Sequence, residues 1–115
     1  MLQDNKILFD VELIENSIYV NALDIANELY STVGKLKSIE FIEKLEYLLT
    51  DVLPTERILQ YQVREIVKTR IRTYINCRII GITDNYSLLC ELNKSNNTVI
   101  VKEITFSKNI LTSLN

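Results

Sequence analysis

The stretch PTERILQYQVREIVKTRIRTY, residues 54–74, decides how this chain is read. Pro54 suits the first turn of a helix, where its missing N–H has no partner to lose. Leu59, Val63, Ile66, Val67 and Tyr74 then share one helical face. Arg57, Tyr61, Arg64, Lys68 and Arg72 recur on the opposite face at spacings of four, three, four and four. The pattern predicts a helix over 54–74 whose outward stripe, four cations and an aromatic, runs about 22 Å at 1.5 Å per residue. Arg70 falls on the apolar side of that wheel, so either it meets a carboxylate there or the helix ends sooner.

The same stretch explains the charge of the chain. Residues 1–56 carry four Lys/Arg against eleven Asp/Glu, and residues 57–115 carry nine against four. The positive excess lies in 57–78, where Arg57, Arg64, Lys68, Arg70, Arg72 and Arg78 face only Glu65. A net charge of −2 thus conceals a basic segment behind an acidic one. Such asymmetry marks either a partner surface or two elements that neutralise each other. If the second and third helices pack antiparallel across Pro54, then Glu40, Glu43, Glu46 or Asp51 lies near the stripe.

Working outward, Ile7, Phe9, Val11 and Leu13 alternate with Asp10 and Glu12, the mark of a half-buried strand. Asn16-Ser17 then turns the chain and Ile18-Tyr19-Val20 returns, so 6–20 reads as a hairpin. Asn21 with Asp24 suits a helix start. Leu23, Ile25, Ala26, Leu29, Tyr30 and Val33 form its apolar stripe, and Gly34 supplies the left-handed stop. A second helix is expected from Ser38 to Leu53, with Phe41, Ile42, Leu45, Leu48, Leu49 and Val52 inward.

Beyond residue 76, Cys77–Thr83, Tyr86–Leu92 and Thr98–Phe106 read as strands, separated by Asp84-Asn85 and by Asn93–Asn97. The tail 107–115 is polar, with Ile110, Leu111 and Leu114 as its apolar positions. The expected fold is therefore α+β: an N-terminal β-hairpin, three central helices and a C-terminal three-stranded antiparallel meander. At 115 residues with 47% apolar composition, 1–115 is expected to form a single domain with one core. No run approaches the ~18 apolar residues of a membrane span, and Met1–Lys6 shows no signal pattern, so a cytoplasmic chain with no membrane contact is expected.

The composition removes several chemistries. With no histidine, Ser-His and Cys-His pairs are impossible and the commonest metal ligand is missing. Gly34 and Gly81 are too far apart for a phosphate-cradling loop. A two-residue turn at Asp84-Asn85 would set Cys77 opposite Leu92 and Cys90 opposite Ile79, diagonal neighbours ~7–8 Å apart and too distant for a disulfide. Both are expected to be small buried residues. Asp84, Glu91 and Lys94 are the best candidates for a metal-dependent nuclease site. Yet Glu91 and Lys94 are spaced one residue too far, and in a strand they point to opposite faces. No catalytic residue, metal or cofactor is assigned.

Residues 18–29, Ile-Tyr-Val-Asn-Ala-Leu-Asp-Ile-Ala-Asn-Glu-Leu, resemble the opening of KilA-N-type viral and phage DNA-binding domains. The likeness covers about a dozen residues, and the family's later Trp-containing segment has no counterpart in this Trp-free chain. Ile25-Ala26 is also similar to a helix-turn-helix start, but that motif wants Gly where Tyr30 stands. No family is assigned.

The functional expectation is a non-enzymatic regulatory or adaptor protein that binds protein, itself included, with Arg57, Tyr61, Arg64, Lys68 and Arg72 as candidate partner contacts. Val99 and Val101 on one side of the last strand, with Ile100, Ile104 and Phe106 on the other, leave two apolar faces to cover. A homodimer is the expected cover. The alternative is a small nucleic-acid-binding regulator that tracks phosphates with the 57–72 stripe. A sequence pI near 5.2 weighs against it.

Overall fold

The computed structural model describes residues 6–113. Leu114 and the leading residues 1–5, on which part of the tail and signal-peptide readings rest, lie outside them. The chain runs β1 (Asp10–Leu13), α1 (Ser17–Thr32), α2 (Lys35–Tyr47), β2 (Val63–Lys68), β3 (Thr73–Thr83), β4 (Tyr86–Asn93), β5 (Thr98–Phe106) and β6 (Leu111–Ser113). One mixed sheet takes the order β1-β5-β4-β3-β2-β6. β1 pairs parallel with β5, and every other neighbouring pair is antiparallel. Two helices and six strands thus replace the expected hairpin, three helices and three-stranded meander.

The N-terminal hairpin does not form. Residues 18–20 are the first turn of α1, because Ile18 joins Ala22, Ile25 and Ala26 on the face that α1 buries. That helical register outweighs the β-branched run Ile18-Tyr19-Val20. Left without its partner, β1 lies along β5 at the edge.

The third helix does not form either. Thr55 closes the second helical unit by donating to the Asp51 and Val52 carbonyls, at 2.8 and 3.2 Å, while its hydroxyl oxygen accepts from the Arg57 N–H. A short 3₁₀ turn, Glu56–Gln60, follows, and β2 begins at Val63. Val63, Ile66, Val67, Thr69, Ile71, Thr73 and Ile75 explain the outcome, since β-branched side chains lose rotamer freedom in a helix and pack well on a pleated surface.

The helical hairpin turns on Gly34, whose φ of +138° suits glycine alone, while the Val33 and Gly34 N–H groups both donate to the Leu29 carbonyl at 2.9 Å. The Ser38 hydroxyl ties the helices by donating to the Ala26 carbonyl at 2.7 Å. After α2 a π-turn, Leu48–Val52, lets the Leu53 N–H reach the Leu48 carbonyl at 2.8 Å. The wider turn brings Leu48, Val52 and Leu53 all into the core.

The hairpin covers one face of the sheet. Phe41, Leu48, Leu53 and Ile58 meet Ile80, Leu88, Cys90, Val99 and Val101 in the main core, and the Phe41 ring meets Tyr86 edge-on at 5.5 Å. Val99, Val101 and Ile104 are buried in this layer, so the helices supply the cover that a second copy was expected to give. A smaller cluster, Val67, Cys77 and Leu89 with Tyr74, Ile79 and Ile110, occupies the opposite face.

That second face is concave. The chain passes from Phe106 to Leu111 in five residues, a reach of at most ~17 Å. β5 and β6 are four inter-strand spacings apart, ~19 Å in a flat sheet. The sheet therefore curls, and residues 107–110 cross over the concave side, with Ile110 packed on the cluster of Val67, Cys77 and Leu89. Two bulges assist. Ile82 interrupts the β3–β4 ladder, and Lys102 interrupts β4–β5, which sets Glu103 opposite Leu89 on the concave face. The first slip also moves Cys90 opposite Arg78 rather than Ile79, and the two cysteines fall in clusters on opposite faces.

Candidate interaction surfaces

The five residues expected to form one basic stripe stand on three different elements. Arg57, in the 3₁₀ turn, donates from Nη1 to the Tyr47 hydroxyl at 3.1 Å. Tyr61 packs against the main core, and its carbonyl accepts from Arg78 Nε at 3.0 Å. Arg64 lies on β2 opposite Cys77, half-buried on the concave face. Lys68 closes β2 and is exposed. Arg72, past the β2–β3 turn, pairs with Glu15 at 3.4 Å. Among the described residues, none of the four cations forms an ion pair with Glu40, Glu43 or Asp51. The row has dispersed because its helix is a turn, a strand and a loop. Arg70, uncertain on the wheel, is exposed in that loop.

The two helices supply a different surface. Leu23, Tyr30 and Val33, read from the periodicity as α1's inward stripe, are 49%, 59% and 60% exposed. Ile42, read as inward on α2, is 41% exposed beside Ile39 at 38%. The apolar arc of each helix is wider than the face it buries. Tyr19, Leu23 and Tyr30 share a side of α1 with Ala26, whose carbonyl is bonded to Ser38 of α2, so that side turns toward α2. Tyr19 also lines a small apolar cavity with Leu45 and Leu49. These side chains therefore flank the line between the helices on their outer surface. Periodicity found the residues; it had no means of showing which part of each apolar arc the sheet covers.

The chain matches no family model, no curated protein and no solved structure.

The remaining chemistry is protected rather than reactive. Burial pushes the Cys77 thiol up to about 11, helped by the charge of Glu91, and pushes Cys90 up to about 12. Both thiols are protonated at neutral pH and poor nucleophiles. Glu91, weighed earlier with Lys94, forms an ion pair with Lys102 at 3.1 Å instead. On the concave face Glu103 accepts from the Thr69 hydroxyl at 3.0 Å and the Tyr74 hydroxyl at 2.8 Å. Tyr74 is raised well above its ordinary range by burial first, then by its hydrogen bond to Glu103 and the charge there. Among the described residues no three His, Cys, Asp or Glu side chains gather as a metal site, and no helix is long and apolar enough to cross a membrane.

Proposed function

We propose that this chain is a non-enzymatic interaction module that binds protein, a second copy of itself included, through the outer surface of the α1–α2 hairpin. The observation that carries this reading is the run of exposed Tyr19, Leu23 and Tyr30 along α1 beside Ile39 and Ile42 of α2. Contiguous apolar surface of this kind marks association sites. A two-fold copy would lay hairpin on hairpin as a four-helix layer. Within α2, Lys35, Lys37 and Lys44 balance Glu40, Glu43 and Glu46, while α1 adds Asp24 and Glu28 without a cation. Phosphate tracking by a single stripe is less well supported, because the 57–72 cations no longer share a helix.

Sedimentation equilibrium from 5 to 200 μM tests the reading with the parent chain, Leu23→Glu and Ile42→Glu. A dimer that becomes monomeric in both variants, with unchanged far-UV circular dichroism, supports it. A parent that stays monomeric throughout removes self-association, and loss of the dimer in neither variant moves the interface elsewhere.

A further inference from the structure

The concave face holds a pocket of about 450 Å³ beneath the crossover, built from four separated segments of chain. Arg64 of β2 stands in its wall. Ser87 of β4 and Ser107 of the crossover stand beside it, their hydroxyl oxygens 2.7 Å apart and Ser87 buried. Thr112 of β6 and the amides of Gln60 and Gln62 form the exposed mouth. Ile79 and Ile110 give it an apolar side.

The donor set is one-sided. Among the described residues that line it there is one fixed cation and no carboxylate. Arg64 also forms no ion pair among the described residues, although it is half-buried. A half-buried guanidinium has lost part of its hydration, a state that favours binding an anion. Two serine hydroxyls joined by a single hydrogen bond share two hydrogens, so one of them is free to donate elsewhere. The planar guanidinium forks onto two oxygens of a carboxylate or phosphate, and hydroxyl and amide donors complete the cradle. The volume lies within the usual range for small-ligand sites.

We propose that this pocket binds an oxyanion, a phosphate or carboxylate group on a small organic body. Arg64 takes the charge, one hydroxyl of the Ser87–Ser107 pair and that of Thr112 donate to the remaining oxygens, and Ile79 and Ile110 contact the uncharged part. The site is independent of the helical surface, so ligand binding and self-association are measured separately.

Amide chemical-shift titration of the full chain with inorganic phosphate and, in parallel, with acetate tests the assignment. Saturable shifts confined to residues 60–64, 79, 87 and 107–112 are expected, with a Kd on the order of 1–10 mM for so small a probe. Arg64→Gln should weaken binding at least tenfold, whereas Arg57→Gln, outside the pocket, should leave it unchanged. Gln62→Glu, at the exposed mouth, should weaken it at least fivefold and answers the question if Arg64→Gln unfolds. The stronger of the two probes identifies the oxyanion. No saturable shift by 50 mM of either, or equal binding by the parent, Arg64→Gln and Gln62→Glu, overturns the proposal.

Discussion

The Tyr74 hydroxyl donates to the Glu103 carboxylate at 2.8 Å, although β4 lies between their strands. That bond reaches across the hollow of the curled sheet. Thr69, bonded to the same oxygen at 3.0 Å, holds the β2–β3 turn down from the other side.

Replacing Tyr74 with Phe removes a donor from a buried carboxylate while leaving Thr69 in place. The expected cost is about 1.5–3 kcal/mol, the range for hydrogen bonds to charged groups. Urea denaturation of the Tyr74→Phe chain measures it directly. A loss below about 0.5 kcal/mol would show that water replaces the phenol without penalty.

Alkaline pH should destabilise the fold through its thiols. Cys77 and Cys90 have folded pKa values of about 11 and about 12 against a reference of 9.0. Between those values the folded chain keeps protons that the unfolded chain releases, so stability falls as pH rises. Their contribution is whole below pH 9 and is lost progressively as pH climbs from 9 toward 12. Denaturation midpoints should be level from pH 7 to 8.5 and decline above 9, with a shallower decline in Cys90→Ala. An identical slope in the variant would remove Cys90 from the account.

Phe41 is wholly buried and packs edge-on against Tyr86, which in turn stacks on Phe106 at 4.7 Å. Phe41→Ala leaves a hole between the helices and the sheet, at an expected cost of about 3–5 kcal/mol. In so small a fold that is a large share of the total stability. Calorimetry should show a melting point lower by ten degrees or more, or no cooperative transition.

Gly34→Ala tests the helical turn. No atom lies within 4 Å of the added methyl, so any loss reports backbone strain at φ +138° rather than collision. About 1–3 kcal/mol is expected. A neutral result would mean that the turn re-forms with another geometry.

How much of this was legible in the sequence depends on where two periodicities compete. In 77–106 short apolar, β-branched runs and the Asp84-Asn85 turn left one reading, and β3, β4 and β5 occupy those segments. They are nonetheless the middle of a six-stranded sheet, since nothing local announces that β1 and β2 flank them. In 54–74 the same Val63, Ile66 and Val67 satisfy a helical wheel and a strand alike. Their β-branching, and the alternation of Thr69, Ile71, Thr73 and Ile75, was the signal to weigh more heavily. The pocket around Arg64 had no such signal. Ser87, Ser107 and Thr112 become neighbours only when the sheet curls, and the two bulges that assist the curl are single unpaired residues.

The crossover at 107–110 has a consequence beyond the pocket it roofs. It delivers β6, three residues long, onto the outer edge of β2, whose last three residues, Ile66, Val67 and Lys68, would otherwise offer bare N–H and C=O groups to solvent. Exposed Ile75 and Ile71 stand close by on the neighbouring strand and turn. A chain cut after Phe106 would present that edge as a template for strand addition by other molecules. The short C-terminal strand is thus a guard against aggregation, and proteolytic trimming there should cost solubility before it costs fold.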